Sequence, residues 1–150
     1  MPEGETSERG AADCIFCSIA SGEAEAEIVY SAETALAFLD ARPLFGGHTL
    51  LIPRGHHETL ADLPEQQVGD LFLLARRLSV AVRNAMGAQG SFVAMNNKVS
   101  QSVPHLHIHV VPRKPEDGLR GFFWPRSKYQ GNAEMAKVAS KIRKALAANG

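Results

Sequence analysis

Three of the chain's six histidines, His105, His107 and His109, stand at alternate positions in SVPHLHIHVVPRK, residues 102–114. Residues two apart on a strand share a face, so this spacing predicts three imidazoles projecting together and Leu106, Ile108 and Val110 turned toward a core. Strand rise separates the outer two histidines by about 13 Å. Zinc–nitrogen bonds of about 2.1 Å require donor atoms crowded around one point. Three histidines in a row therefore do not make one metal site, although two neighbours and a ligand from elsewhere can. Imidazole is also a phosphoryl or nucleotidyl acceptor, because its neutral nitrogen is nucleophilic near pH 7 and the resulting bond is labile. Such a group needs its second nitrogen held, donors for the phosphate oxygens and a proton source for the leaving group. The central His107 is best placed for this, with a flanking histidine and the Gln101-Ser102-Val103 segment just upstream.

The two cysteines, Cys14 and Cys17, form a CxxC pair in CIFC. Such a pair reads as a redox couple, as half of a zinc site, or as two small half-buried residues without chemistry. A redox motif would follow a strand, and here a polar segment precedes it, which weakens that reading. Half a zinc site needs two further ligands, and histidines are available.

These residues must be positioned by a chain of 150 residues, long enough for one domain with a real core. Sixteen basic and sixteen acidic residues balance, so no global field draws it to nucleic acid or an anionic membrane. No apolar run reaches the length of a membrane span, and residues 1–13 read as a polar, disordered leader without a signal core. A cytoplasmic protein is expected. Residues 14–150 then form a single domain, with a C-terminal extension from about residue 114.

Along the chain, CIFCSIASGE predicts a short helix ending near Gly22, and EIVYS and TALAFLD a hairpin. HTLLIP predicts a third strand stopped by Pro53. Val68, Leu71, Phe72, Ala75, Leu78, Val82 and Met86 repeat with helical spacing between Pro64 and Met86. Asp62 before this helix and Pro64 in its first turn are start signals, and Gly87 is a stop. SFVAMN and HLHIHVVP predict two more strands. AEMAKVASKIRKALAANG predicts an amphipathic helix with Met135, Val138, Ile142 and Leu146 on one side and basic residues toward its end, where they suit the helix dipole. The expected fold class is α+β: a mostly antiparallel sheet of about five strands, one long helix packed on it, and a C-terminal helix.

HLHIHVVPR matches HxHxHxx, with apolar x, and so resembles the histidine triad (HIT) family. CIFCSI, AFLDARPLFGGHTLLIPRGH and QSVPHLHIHVVPR follow in the family's order, so the resemblance covers roughly residues 14–113. It implies a homodimeric nucleotide hydrolase or transferase acting at a nucleotide α-phosphate. By that resemblance His107 is the nucleophile that forms a nucleotidyl-histidine, His109 binds phosphate oxygens, and His48 in GGHTLLIP is the fourth active-site histidine. Ser102 would lie near the leaving group, Gln101 in the phosphate loop, and Asn96 on the phosphate side. Asp40 would hold the ribose hydroxyls, as a carboxylate can accept from both. The backbone carbonyl of His105 would hold the second nitrogen of His107. Bacterial members that carry CxxC further imply a structural zinc on Cys14, Cys17, His56 and His105, with His57 a one-residue alternative to His56.

Two features depart from the family pattern. The loop NNKVSQ is shorter than the usual glycine-containing form, with Ser100 where Ala-Gly commonly precedes Gln. The tail GLRGFFWPRSKY differs from the short ending of the Hint branch. Trp124 there reads first as packing and second as a stacking surface, with Arg126 or Lys128 near a polyphosphate. The leading expectation is a purine nucleoside phosphoramidase. Its alternatives are a dinucleoside polyphosphate hydrolase, a zinc hydrolase built on His105, His107 and His48 or His56, and a non-catalytic nucleotide-binding module.

Overall fold

The computed structural model describes residues 11–120 and 126–149. Most of the expected leader, and the aromatic cluster with Trp124, lie outside the described residues. The chain divides into two compact units, the first ending at Asp117 and the second starting at Gly118.

In the first unit, helix α1 (Ile15–Ser21) is followed by strands β1 (Ile28–Ser31), β2 (Ala35–Leu39) and β3 (Thr49–Pro53). Helix α2 (Glu65–Ala85) and strands β4 (Gly90–Ala94) and β5 (Ile108–Arg113) complete it. The five strands form one sheet in the order β1-β2-β3-β5-β4, and every pairing is antiparallel.

Both faces of the sheet's centre are covered, which is why β2 and β3 read as nearly unbroken apolar runs. Ala35, Ala37, Leu51, Ile108 and Val110 face α2, whose Leu71, Ala75, Leu78 and Val82 close that side. Leu36, Phe38, Leu50 and Ile52 face the opposite way, against Cys14 and Phe16. The period-2 alternation thus sorts side chains between two cores rather than between core and water.

Several sequence expectations change in detail. The fifth strand begins at Ile108, so His105 and His107 precede it. The alternation still holds, with Leu106, Ile108 and Val110 in the α2-side core. Pro64 caps α2 rather than lying in its first turn. Asp62 serves a separate 3-10 turn, Leu60–Asp62, where its carboxylate accepts from the backbone and hydroxyl of Thr59. Phe72 and Met86 are exposed, so the buried stripe of α2 is narrower than the spacing suggested. Gly87 does stand just past the helix end, at φ 61°.

The second unit contains helix α3, Asn132–Asn149. Its last turn carries no basic residue, because the helix runs on through alanines past Lys144. The expected match of basic residues to the helix dipole is therefore absent. Met135, Ile142 and Leu146 on its apolar side are exposed.

Candidate active site and metal centre

The antiparallel register brings distant residues onto the α1-side face. Leu50 on β3 pairs with Phe38 on β2 and with His109 on β5. Beyond the last ladder pair, the Asp40 amide donates to the His48 carbonyl at 2.9 Å, so these two residues stand opposite each other. His107 and His109 project from the same edge, their rings 4.9 Å apart. Together with Ser102, Asp40 and the apolar side chains of α1, they line a cleft of about 1380 Å³.

Hydrogen bonds fix the imidazole tautomers. The Leu44 amide donates to His48 Nδ1 at 3.0 Å, so the neutral ring carries its proton on Nε2. That N–H donates to His109 Nδ1 at 3.0 Å, which leaves the proton of His109 on its own Nε2. His107 donates Nδ1–H to the His105 carbonyl at 2.7 Å and keeps its lone pair on Nε2. His105 donates Nε2–H to the Pro53 carbonyl at 2.8 Å and keeps its lone pair on Nδ1. Each ring thus shows a defined face: His107 a nucleophilic nitrogen, His109 a donor, His105 a ligand nitrogen.

Burial lowers the proton affinity of His48, His105 and His109. It pushes His109 down to about 4, with help from His107 and His48 and against Asp40. It lowers His48 as well, again opposed by Asp40. Groups that bind protons less tightly in the fold than in the unfolded chain destabilise it in acid. Stability is therefore expected to be full above about pH 6.5 and to fall as pH drops toward about 4, the window set by His109. That residue alone accounts for a loss on the order of 2–3 kcal/mol. A urea midpoint unchanged between about pH 7 and about pH 4.5 would contradict this.

The cysteines meet the remaining histidines on the other side of His105. Cys14 Sγ lies 3.4 Å from His105 Nδ1, and Cys17 Sγ lies 3.3 Å from His56 Nδ1 and 3.5 Å from His105 Nδ1. All four donor atoms lie within 4.8 Å of one another. Two sulfurs and two nitrogens gathered at such range are a Cys2His2 donor set, which fits zinc. The tautomer of His105 fits as well, because its lone pair faces the sulfurs while its N–H faces Pro53. Burial and the neighbouring Cys14 push the Cys17 thiol up to about 11, so a metal there must displace a proton. His57 is not in this cluster. Its carbonyl accepts from the Leu106 amide at 2.7 Å and fixes the loop next to His105.

Asp40, His48 and His109 are a second group with three potential ligand atoms within 4.8 Å. Here the chemistry does not fit a metal. The atom that His48 would offer is Nε2, and the Leu44 amide commits that nitrogen to its proton. The zinc hydrolase alternative on His105, His107 and His48 or His56 is disfavoured on a separate ground, since the free nitrogen of His105 faces the thiols and His107 lines the cleft.

Asn96 and Gln101 are both engaged by backbone groups, Asn96 within its own loop and Gln101 partly outside it. The Asn96 amide donates to the Ser100 carbonyl at 3.2 Å, and Gln101 donates to the Glu58 carbonyl at 2.6 Å while accepting from the Lys98 amide at 2.8 Å. Lys98 and Ser100 sit at φ 70° and 61°, a left-handed region where a side chain costs roughly 1–2 kcal/mol. Shortening the loop without glycine has this consequence. Ser100→Gly is expected to stabilise the fold by up to about 1 kcal/mol, read as a higher urea midpoint.

Ile15, Phe16 and the backbone partners Leu44 and Pro53 are part of the site without having been singled out in the sequence. Phe16 packs edge-on against His107 at 5.1 Å and against His105 at 5.9 Å. Its position between two cysteines was the available signal. The resemblance supplied the His105 carbonyl that orients His107, whereas nothing in the sequence marked the Leu44 amide or the Pro53 carbonyl.

A family model described as HIT domain matches residues 21–116. The chain belongs to the HIT family. An uncharacterised HIT-like protein of Methanocaldococcus jannaschii is 38% identical over 70% of this chain and 82% of its own length. An adenosine 5′-monophosphoramidase of Candida albicans is 29% identical over 91% of this chain and 93% of its own. The structure of a Zn-bound histidine triad family protein from Mycobacterium smegmatis is similar at TM-score 0.69 and 36% identity, over 87% of this chain and 99% of that one. This HIT chain shares the five-stranded antiparallel sheet of its family's solved structures.

Proposed function

We propose that this HIT protein hydrolyses purine nucleoside 5′-phosphoramidates through a nucleotidyl-histidine intermediate. The observation that carries the reading is His107, with Nδ1–H held by a carbonyl at 2.7 Å and Nε2 unprotonated beside the cleft. A nucleotide-binding module has no need for a nitrogen prepared in this way. The similarity to the Candida albicans phosphoramidase supports the leaving-group class.

In this reading Asp40 accepts from the ribose hydroxyls and His109 Nε2–H donates to a non-bridging phosphate oxygen. His107 Nε2 forms the N–P bond as the bond to the leaving amine breaks, and the amine takes a solvent proton passed on by the Ser102 hydroxyl. Water then cleaves the N–P bond, releasing the nucleoside monophosphate and neutral His107. His48 positions His109 by fixing its tautomer. Gln101 and Asn96 brace the loop that carries Ser102, and a phosphate contact from either requires its amide to leave its present partner.

Cys14, Cys17, His56 and His105 hold a structural zinc in this proposal, stapling α1 to the sheet. The working unit is a homodimer, supported by the edge strand β4 with its exposed Val93 and by exposed Phe72 on α2. A cytoplasmic setting fits the free thiols, and no described helix is long and apolar enough to cross a membrane.

The test is AMP release from adenosine 5′-phosphoramidate and, separately, from diadenosine tetraphosphate. Cleavage of the phosphoramidate is expected. Cleavage of the dinucleotide alone keeps the nucleophile and replaces the leaving group. Turnover of neither removes the enzymatic reading.

A further inference from the structure

We propose that the CxxC pair is an oxidation-sensitive switch on the nucleotide cleft. A peroxide would convert the metal-binding thiols to a Cys14–Cys17 disulfide, release the metal and disorder the wall of the cleft that Ile15 and Phe16 form. This deepens the proposed function, since the switch acts on that same site.

The coupling is built into four consecutive residues. Cys14 and Cys17 supply the two sulfurs of the ligand set, and the residues between them, Ile15 and Phe16, line the cleft. Phe16 touches Phe38 as well as His107, with ring centroids 5.4 Å and 5.1 Å away. No linker separates the metal centre from the binding wall, so a change in the spacing of the sulfurs must move the wall.

His105 makes a second connection. Its side chain faces both thiols while its carbonyl accepts the proton that orients His107. Its other nitrogen is tied to Pro53, so the ring has little freedom to follow a displaced α1. The sulfurs lie within 4.8 Å of each other, and a disulfide requires about 2.05 Å. Closing that gap draws Cys17 off His56 and His105 and leaves two histidines, too few to retain zinc.

The chemistry balances with a peroxide as oxidant. One thiolate attacks a peroxide oxygen, giving a sulfenic acid and hydroxide; the second thiolate attacks that sulfur, forming the disulfide and releasing a second hydroxide. Two solvent protons convert both hydroxides to water. The thiolates together lose two electrons and the peroxide gains them. A dithiol with added zinc reverses the change.

The experiment takes the full-length, zinc-loaded protein, treats it with hydrogen peroxide, and follows zinc with a chromogenic chelator and AMP binding by calorimetry. Zinc release matching disulfide formation is expected, with AMP affinity lowered about tenfold or more and restored by dithiothreitol and zinc. His57→Ala, outside the ligand set, is expected to switch as wild type does. Cys17→Ser is expected to show the lowered affinity before oxidant and no further change after it.

Three results would overturn the proposal: a protein that takes up no zinc, a disulfide formed with AMP affinity unchanged, or thiols still reduced after the zinc has gone. Should the reduced protein bind no AMP, the nucleotide reading fails on its own. The switch then remains measurable as a shift of the His107 and Phe16 NMR signals on oxidation, and signals that do not move would refute it.

Discussion

Replacing His107 by alanine is expected to abolish phosphoramidate hydrolysis, by roughly four orders of magnitude or more, while AMP still binds. The expectation follows from how little else in the cleft can attack phosphorus. His109 Nε2 carries a proton because the Leu44 amide, acting through His48, places it there. His105 turns its lone pair toward the thiols. Among the described residues, no basic side chain hydrogen-bonds the Ser102 hydroxyl to activate it. Alanine also leaves the His105 carbonyl without its donor and a gap beside Phe16, so lost activity alone could report a damaged fold. His107→Asn answers this, since its side-chain amide can donate to the same carbonyl but offers no nucleophile. Both variants are expected to bind AMP within a few-fold of wild type by calorimetry and to give no covalent nucleotidyl adduct in rapid-quench mass spectrometry. Turnover above about one per cent of wild type in His107→Asn would move the nucleophile elsewhere.

The contrast between His107 and His105 also shows what a sequence can and cannot convey here. Alternation in HLHIHVV placed Leu106, Ile108 and Val110 in one core, as found. Elementary geometry also indicated that three consecutive histidines cannot share one metal. Spacing alone did not say which carbonyl each ring meets: the family resemblance supplied the His105 carbonyl for His107, and nothing in the sequence pointed to Pro53 as the partner of His105. The covering of the second face was equally hidden. Its seal comes from Phe16 in a short helix whose spacing carries little information. Gln101 and Asn96 illustrate the same limit from the other side. Residue type suits them to phosphate, yet the Asn96 amide donates to Ser100 on its own loop and the Gln101 amide bridges Lys98 to the Glu58 carbonyl.

His105→Ala is expected to be the most destabilising single change in the site, costing roughly 3–5 kcal/mol and lowering the melting temperature by roughly 10 °C or more. Three losses coincide. The side chain is fully buried, so alanine leaves a void. The Pro53 carbonyl loses its 2.8 Å donor. The proposed zinc would lose a ligand whose Nδ1 lies within 3.5 Å of both sulfurs. His56→Ala removes a ligand from a half-buried loop without the void or the orphaned carbonyl, so it should cost less, about 2 kcal/mol. Zinc-loaded and chelator-treated wild type, melted beside both variants, separate these contributions. If the metal supplies most of the staple, chelated wild type should melt with His56→Ala, and His105→Ala should melt below both by the cost of the void and the carbonyl. A chelated wild type that melts with the loaded protein would assign the whole effect to packing. Cys14 would then be a core residue and nothing more, and the link from thiols to nucleotide would lose its physical basis.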